Sequence, residues 1–169
     1  MPPTAKERRR WWPPSARTLS WSGLGIVALL LVIQAVPYGH AHSNPPVTQA
    51  AKWPPGPGQE IAEAGCYDCH SNLTKWRWYS NVAPASWLVT HDVEDGRGAL
   101  NFSEWDKPQP DAGELSEKVS SGEMPPLQYT LIHRAAKLSP TEKKQLVAAI
   151  TRLYATDPPP RGGGVAETD

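Results

Sequence analysis

Cys66-Tyr67-Asp68-Cys69-His70 is the segment of this chain whose residue types and spacing are best suited to chemistry, and it uses both cysteines of the sequence. On a helical turn, positions i, i+3 and i+4 share a face, so two thiols and an imidazole are presented together. Cys-x-x-Cys-His is the attachment signature of c-type haem. The thiols of Cys66 and Cys69 reach the two porphyrin vinyl groups while His70 points at the iron. Other uses of the same residues fit less well. A thioredoxin-like dithiol needs a strand–helix–strand setting that is not legible here. A structural zinc site normally takes four Cys or His ligands, and no second pair follows. A Cys66–Cys69 disulfide closes too small a loop to organise a fold.

The other axial position needs a ligand from elsewhere in the chain, and the candidates are Met124, His91 and His133. Met124 is the only methionine beyond Met1 and sits in Gly122-Glu123-Met124-Pro125-Pro126. The two prolines fix their own φ angles and restrict the residue before them, which stiffens the loop that a weak thioether ligand requires. A gap-filling core role competes for Met124, and core or surface roles compete for His91 and His133. His/Met ligation raises the reduction potential and suits an electron carrier. Iron with both axial positions filled has no open site for substrate, so the reading is single-electron transfer and not an enzyme. The alternative is a haem-based sensor or gas-ligand-binding module in which Met124 is absent or displaced; a weaker third is a peroxidase-like enzyme, against which one haem and no evident distal catalytic pair argue.

These residues need helices to position them. Gln59–Ala64 consists mostly of good helix formers and predicts a first helix over Gln59–Cys69 that ends at the motif. Trp87, Leu88 and His91 are spaced for one face of a second helix, starting after Pro84 and running towards Leu100. Leu115 and Val119 mark a short third helix over Asp111–Ser121. The fourth opens on Ser139-Pro140-Thr141-Glu142, a capping box with Pro at the first helical position. Leu146, Val147, Ile150, Leu153 and Tyr154 form its apolar stripe.

Upstream, Thr18–Val36 is a mainly apolar run, preceded by Lys6, Arg8, Arg9, Arg10 and Arg17 and followed by no Lys or Arg until Lys52. Its length and charge asymmetry predict a single transmembrane helix with the N-terminus in the cytoplasm. A cleaved signal peptide competes, although the run is long for one. Trp11, Trp12 and Trp21 suit an interfacial belt. The expected organisation is a basic cytoplasmic tail (1–17), an anchor (18–36), a Pro-rich linker (37–58), a haem domain (59–156) and a disordered tail (157–169). That places the haem domain on the periplasmic side of the inner membrane.

Charge and composition narrow the partners. Lys plus Arg equals Asp plus Glu, 17 each. Residues 1–19 carry five bases and one acid, so the remainder is net −4. The folded part therefore lacks the basic clustering of a nucleic-acid binder, and its mild acidity favours a basic surface on an unidentified redox partner. Leu, Ile, Val and Phe make up only 30 of 169 residues, so aromatic side chains and the porphyrin are expected to supply part of the core.

Six stretches in order resemble the bacterial membrane-anchored haem-binding domain family. They are Asn44-Pro45-Pro46-Val47, Cys66–Asn72, Trp78–Pro84, Trp87–Val93, Leu100–Trp105 and Gly122–Pro126. The resemblance runs from about Pro37 to Leu153. It implies an all-α, cytochrome-c-like monohaem domain behind a single N-terminal transmembrane helix, with one covalent haem c held by Cys66 and Cys69 and His70 as proximal ligand.

Overall fold

The structure, a computed structural model, describes residues 16–161. The basic residues Lys6, Arg8, Arg9 and Arg10, Trp11 and Trp12, and the last eight residues of the expected tail lie outside the described residues. Those described are all-helical: α1 (Ala16–Ile33), α2 (Gly58–Gly65), α3 (Tyr67–His70), α4 (Ala85–Ala99), α5 (Ala112–Ser121), α6 (Leu127–Ile132) and α7 (Pro140–Thr156). Two 3-10 turns, Trp78–Asn81 and Arg134–Ala136, complete the set. The chain divides into two compact units after Pro37.

The first unit corrects the expectation of a transmembrane anchor over 18–36, and with it the inner-membrane location. Among the described residues no helix is long and apolar enough to cross a membrane. The helix stops at Ile33, and its first ten residues include Arg17, Thr18, Ser20, Ser22, Gly23 and Gly25. Only Ile26–Ile33 is uniformly apolar, a length of about 12 Å against a hydrocarbon core of about 30 Å. The run reads as longer in the sequence because small residues and hydroxyls interrupt it without charge.

In the second unit, α2, α5 and α7 enclose the core. Ile61 and Ala62 of α2 meet Leu146, Ile150 and Leu153 of α7, with Leu115 and Val119 of α5 in the same cluster. Trp105 sits at its centre, fully buried. Its indole Nε1–H donates to the Asp157 carbonyl at 2.7 Å, as a buried indole requires. α7 begins with the capping box read from the sequence, Ser139 and Glu142 each satisfying the other's backbone N–H. The predicted first helix is broken: α2 ends at Gly65 and Cys66 departs from helical geometry (φ −124°) before α3 begins.

The Pro-rich stretch lies extended along this unit. Gln49 and Glu104 form an isolated parallel bridge, and Ala51 N–H donates to the Phe102 carbonyl at 2.9 Å. The amide of Asn72 donates to the Pro46 carbonyl at 2.9 Å. His42 bonds to the Ser80 carbonyl at 2.8 Å and stacks on Trp76 with centroids 4.5 Å apart.

Candidate functional site

The backbone at the motif turns sharply. Cys66 N–H still bonds to the Ala62 carbonyl at 2.7 Å, while the Cys66 carbonyl accepts from both Cys69 N–H (3.2 Å) and His70 N–H (2.8 Å). That single turn places Cys66, Cys69 and His70 along one cavity of about 290 Å³. Both cysteines are free and half-buried. Burial pushes the thiols of Cys66 and Cys69 up to about 12, helped by Cys69 for the first and by Asp92 and Asp68 for the second. A dithiol redox centre needs a lowered thiol pKa, so these cysteines are poorly suited to thioredoxin-like exchange.

His70 is held by two carbonyls of α4 and its C-terminal edge. Its Nδ1 lies 2.8 Å from the Gly96 oxygen and 3.2 Å from the Leu100 oxygen. A carbonyl only accepts, so Nδ1 carries the proton and Nε2 keeps its lone pair for a metal. Burial lowers the His70 pKa, with the two carbonyl bonds partly opposing it, and the imidazole stays neutral as a ligand must. The approach depends on Gly96: a Cβ there would lie 2.6 Å from the Cys69 carbonyl oxygen and 2.9 Å from its Cβ.

Beyond His70 a buried amide network fixes the loop. Phe102 N–H donates to the His70 carbonyl at 2.9 Å, Asn72 N–H to Ser103 Oγ at 3.0 Å, and the Asn101 amide to Asn72 Oδ1 at 2.9 Å. Arg97 ties the same loop to the extended stretch. Its guanidinium donates to the carbonyls of Ser71 (2.8 Å) and Ser43 (2.9 Å), to Asn44 Oδ1 (3.0 Å) and to Thr74 Oγ1 (2.8 Å).

Of the three candidates for the second axial ligand, Met124 lines the cavity with Cys66, Cys69 and His70. Its loop leaves α5 through Gly122, a left-handed cap at φ 83°, and Met124 N–H donates to the Lys118 carbonyl at 3.0 Å. His91 is on the outside of α4, its side chain 62% exposed, paired with Asp95 at 3.3 Å. His133 bonds to Tyr79 OH at 2.6 Å and stacks on Tyr129 at 4.2 Å. Neither histidine lines the cavity.

α6, which the sequence reading did not place, brings Tyr129 to the cavity wall. The Tyr129 hydroxyl donates to Asp68 Oδ2 at 2.8 Å, joining the Met124 side to the motif itself. A smaller hollow of about 80 Å³ adjoins, sharing Cys69, Asp92 and Tyr129 and reaching Tyr79. The signal for α6 was available in Pro126 at its start, but six residues give too little periodicity to read. Trp76 donates its indole N–H to Asn44 Oδ1 at 3.1 Å, and Trp78 is 78% exposed.

Two thiols, an imidazole nitrogen with a free lone pair and a thioether around one cavity form a donor set that fits an iron porphyrin, with thiols able to bond to its rim and two donors able to bind a metal. An all-helical unit around such a site defines a haem-binding protein. The chain belongs to the haem-binding domain family, whose model matches residues 28–152. It is also 28% identical over 103 residues to the cytochrome c peroxidase Ccp of Escherichia coli (strain K12), covering 56% of this chain and 22% of that protein. The chain thus spans about a fifth of that relative's length. No solved structure matches.

Proposed function

We propose that this haem-binding domain is a c-type monohaem cytochrome that carries single electrons. Cys66 and Cys69 would hold the haem through two thioethers, and His70 and Met124 would bind its iron. When bound, haem supplies a one-electron iron couple. The reading rests above all on His70, whose Nδ1 is occupied by the Gly96 carbonyl while Met124 lines the same cavity.

The chain's own residues have three tasks in this reading. The Gly96 and Leu100 carbonyls fix the imidazole tautomer and orientation, as outer-shell groups do for metal-bound histidines. The Gly122–Pro126 loop holds the thioether in place. The Tyr129–Asp68 bond keeps the two sides of the cavity together. With His70 and Met124 both bound to the iron, no coordination site would be left for a substrate, so the chain is read as a carrier. The activity in the relative's name is not carried over, since the match covers 22% of that protein.

The test is spectroscopic. The native product is expected to show a covalent haem adduct by mass spectrometry, a low-spin ferric spectrum with a Met-to-iron charge-transfer band, and no ready carbon monoxide binding when reduced. Met124→Ala is expected to become high-spin and to bind carbon monoxide. A wild-type protein that is already high-spin and binds carbon monoxide would favour the sensor reading, and a bare polypeptide would remove both.

A further inference from the structure

The wall that carries Met124 has an outer side as well as an inner one. Inside, Met124 and Pro126 line the cavity of Cys66, Cys69 and His70. Outside, Met124 and Pro125 border a second hollow of about 160 Å³ whose rim includes Leu127, Lys137 and Lys143. Met124 borders both, so the cofactor cavity and this surface are one side chain apart.

The outer surface combines unpaired positive charge with exposed apolar area. Lys143 also lines the next hollow along α7, with Lys144, and Arg134 and Lys137 are exposed nearby in the sequence. Among the described residues none of these four basic groups pairs with a carboxylate. The acids closest in sequence are already engaged: Glu123 with Lys118 at 2.8 Å, and Glu142 in the capping box of α7. Leu127 and Leu131, four residues apart on one face of α6, are 72% and 70% exposed. An apolar centre edged by mainly positive charge has the anatomy of a transient protein interface.

We propose that this face, around Leu127, Leu131, Lys137 and Lys143, is where an acidic electron-transfer partner docks, and the proposal rests on the axial role of Met124 argued above. The net charge of −4 after residue 19 points to a basic partner only if the chain is treated as a single charge. At physiological salt the screening length is about 8 Å, so a docking partner responds to the charges under its footprint. At the Met124 wall Lys118, Arg134, Lys137, Lys143 and Lys144 outnumber Glu123 and Glu142.

Two measurements on the haem-loaded full chain test this. The first follows electron exchange with anionic hexacyanoferrate(III) and with cationic tris(phenanthroline)cobalt(III) as salt is raised. The anion is expected to react faster, the gap to close with salt, and K137E/K143E to slow the anion about tenfold or more. Arg152→Glu, at the far end of α7, is expected to leave that rate within about twofold. The second maps binding of a hexaglutamate peptide by amide shifts, expected within residues 122–144 and lost in K137E/K143E. Equal effects of R152E and K137E/K143E, or shifts spread over the whole surface, would overturn the proposal. So would wild-type self-association abolished by K137E/K143E, which would give the face to a second copy. All three leave the carrier reading standing if spectrum and potential are unchanged. A wild type without the low-spin spectrum sinks the carrier reading itself.

Discussion

The Tyr129 hydroxyl donates to Asp68 Oδ2 at 2.8 Å, so a residue five positions beyond Met124 is bonded to a residue between the two cysteines. Lys75 N–H donates to the other oxygen of Asp68 at 3.1 Å, which orients the carboxylate. Burial, and then the bond to Asp68, raises the Tyr129 pKa well above its ordinary value, so it remains a donor at any physiological pH. A hydrogen bond to a charged group contributes about 1.5–3 kcal/mol when buried, and this one is partly exposed. Tyr129→Phe is therefore expected to destabilise the haem-loaded protein by about 1–2 kcal/mol in denaturant melts. A double-mutant cycle with Asp68→Asn should give a coupling above about 0.5 kcal/mol. Additive effects would show that the two residues act independently.

Two glycines of α4 should respond in opposite ways to the same change. A Cβ at Gly96 meets the Cys69 carbonyl at 2.6 Å, whereas one at Gly98 meets nothing within 4 Å. Gly96→Ala must move α3 away from α4 and disturb the bonds that orient His70, at about 1–3 kcal/mol for the overpacking. Gly98→Ala is expected to be stabilising by about 0.5–1 kcal/mol, because alanine is the better helix former. Thermal melts read both, and the haem spectrum should change only in Gly96→Ala.

These glycines show which parts of the site the sequence could disclose. The motif and Met124 were legible because their residue types are rare in this chain and their spacing is chemically constrained. α7 was legible because its start signal and its stripe agree. Gly96 and Arg97 carry no such mark: their partners, Cys69 and the loops at Ser43 and Ser71, are 26 or more positions away. The anchor was misread because Ser, Thr and Gly lower hydropathy without adding charge. Tyr79 and His133, 54 positions apart, meet only through the fold.

His133 gives the stability a pH dependence. Burial and the nearby Arg77 lower its pKa below the ordinary 6.5, with Asp68 partly opposing them. As pH falls through 6.5 the unfolded imidazole takes its proton first, so the unfolded state binds more protons and stability declines. Above that pH both states are neutral and the contribution is flat. Denaturant midpoints of the haem-loaded protein are expected to hold steady above about pH 7.5 and to fall between about 6.5 and 5. In His133→Gln that fall should be shallower; an unchanged slope would place the proton uptake elsewhere.

The core around Trp105 lies next to the haem cavity yet is built from protein alone. Trp105 is fully buried, stacks on Phe102 at 5.8 Å and meets Tyr154 edge-on at 5.3 Å. Phe102 in turn stacks on Tyr67 of the motif at 5.4 Å, and its N–H holds the His70 carbonyl. Removing the indole therefore opens a cavity and loosens the support of His70 together. Trp→Ala in a core costs about 3–5 kcal/mol, comparable to the whole stability of a small domain, about 5–15 kcal/mol. Trp105→Ala is expected to lose most of its cooperative melt even with haem attached, whereas Trp78→Ala, at a site 78% exposed, should melt within about 0.5 kcal/mol of wild type. If Trp105→Ala melted like wild type, the haem alone would be organising the fold, as the low aliphatic content first suggests.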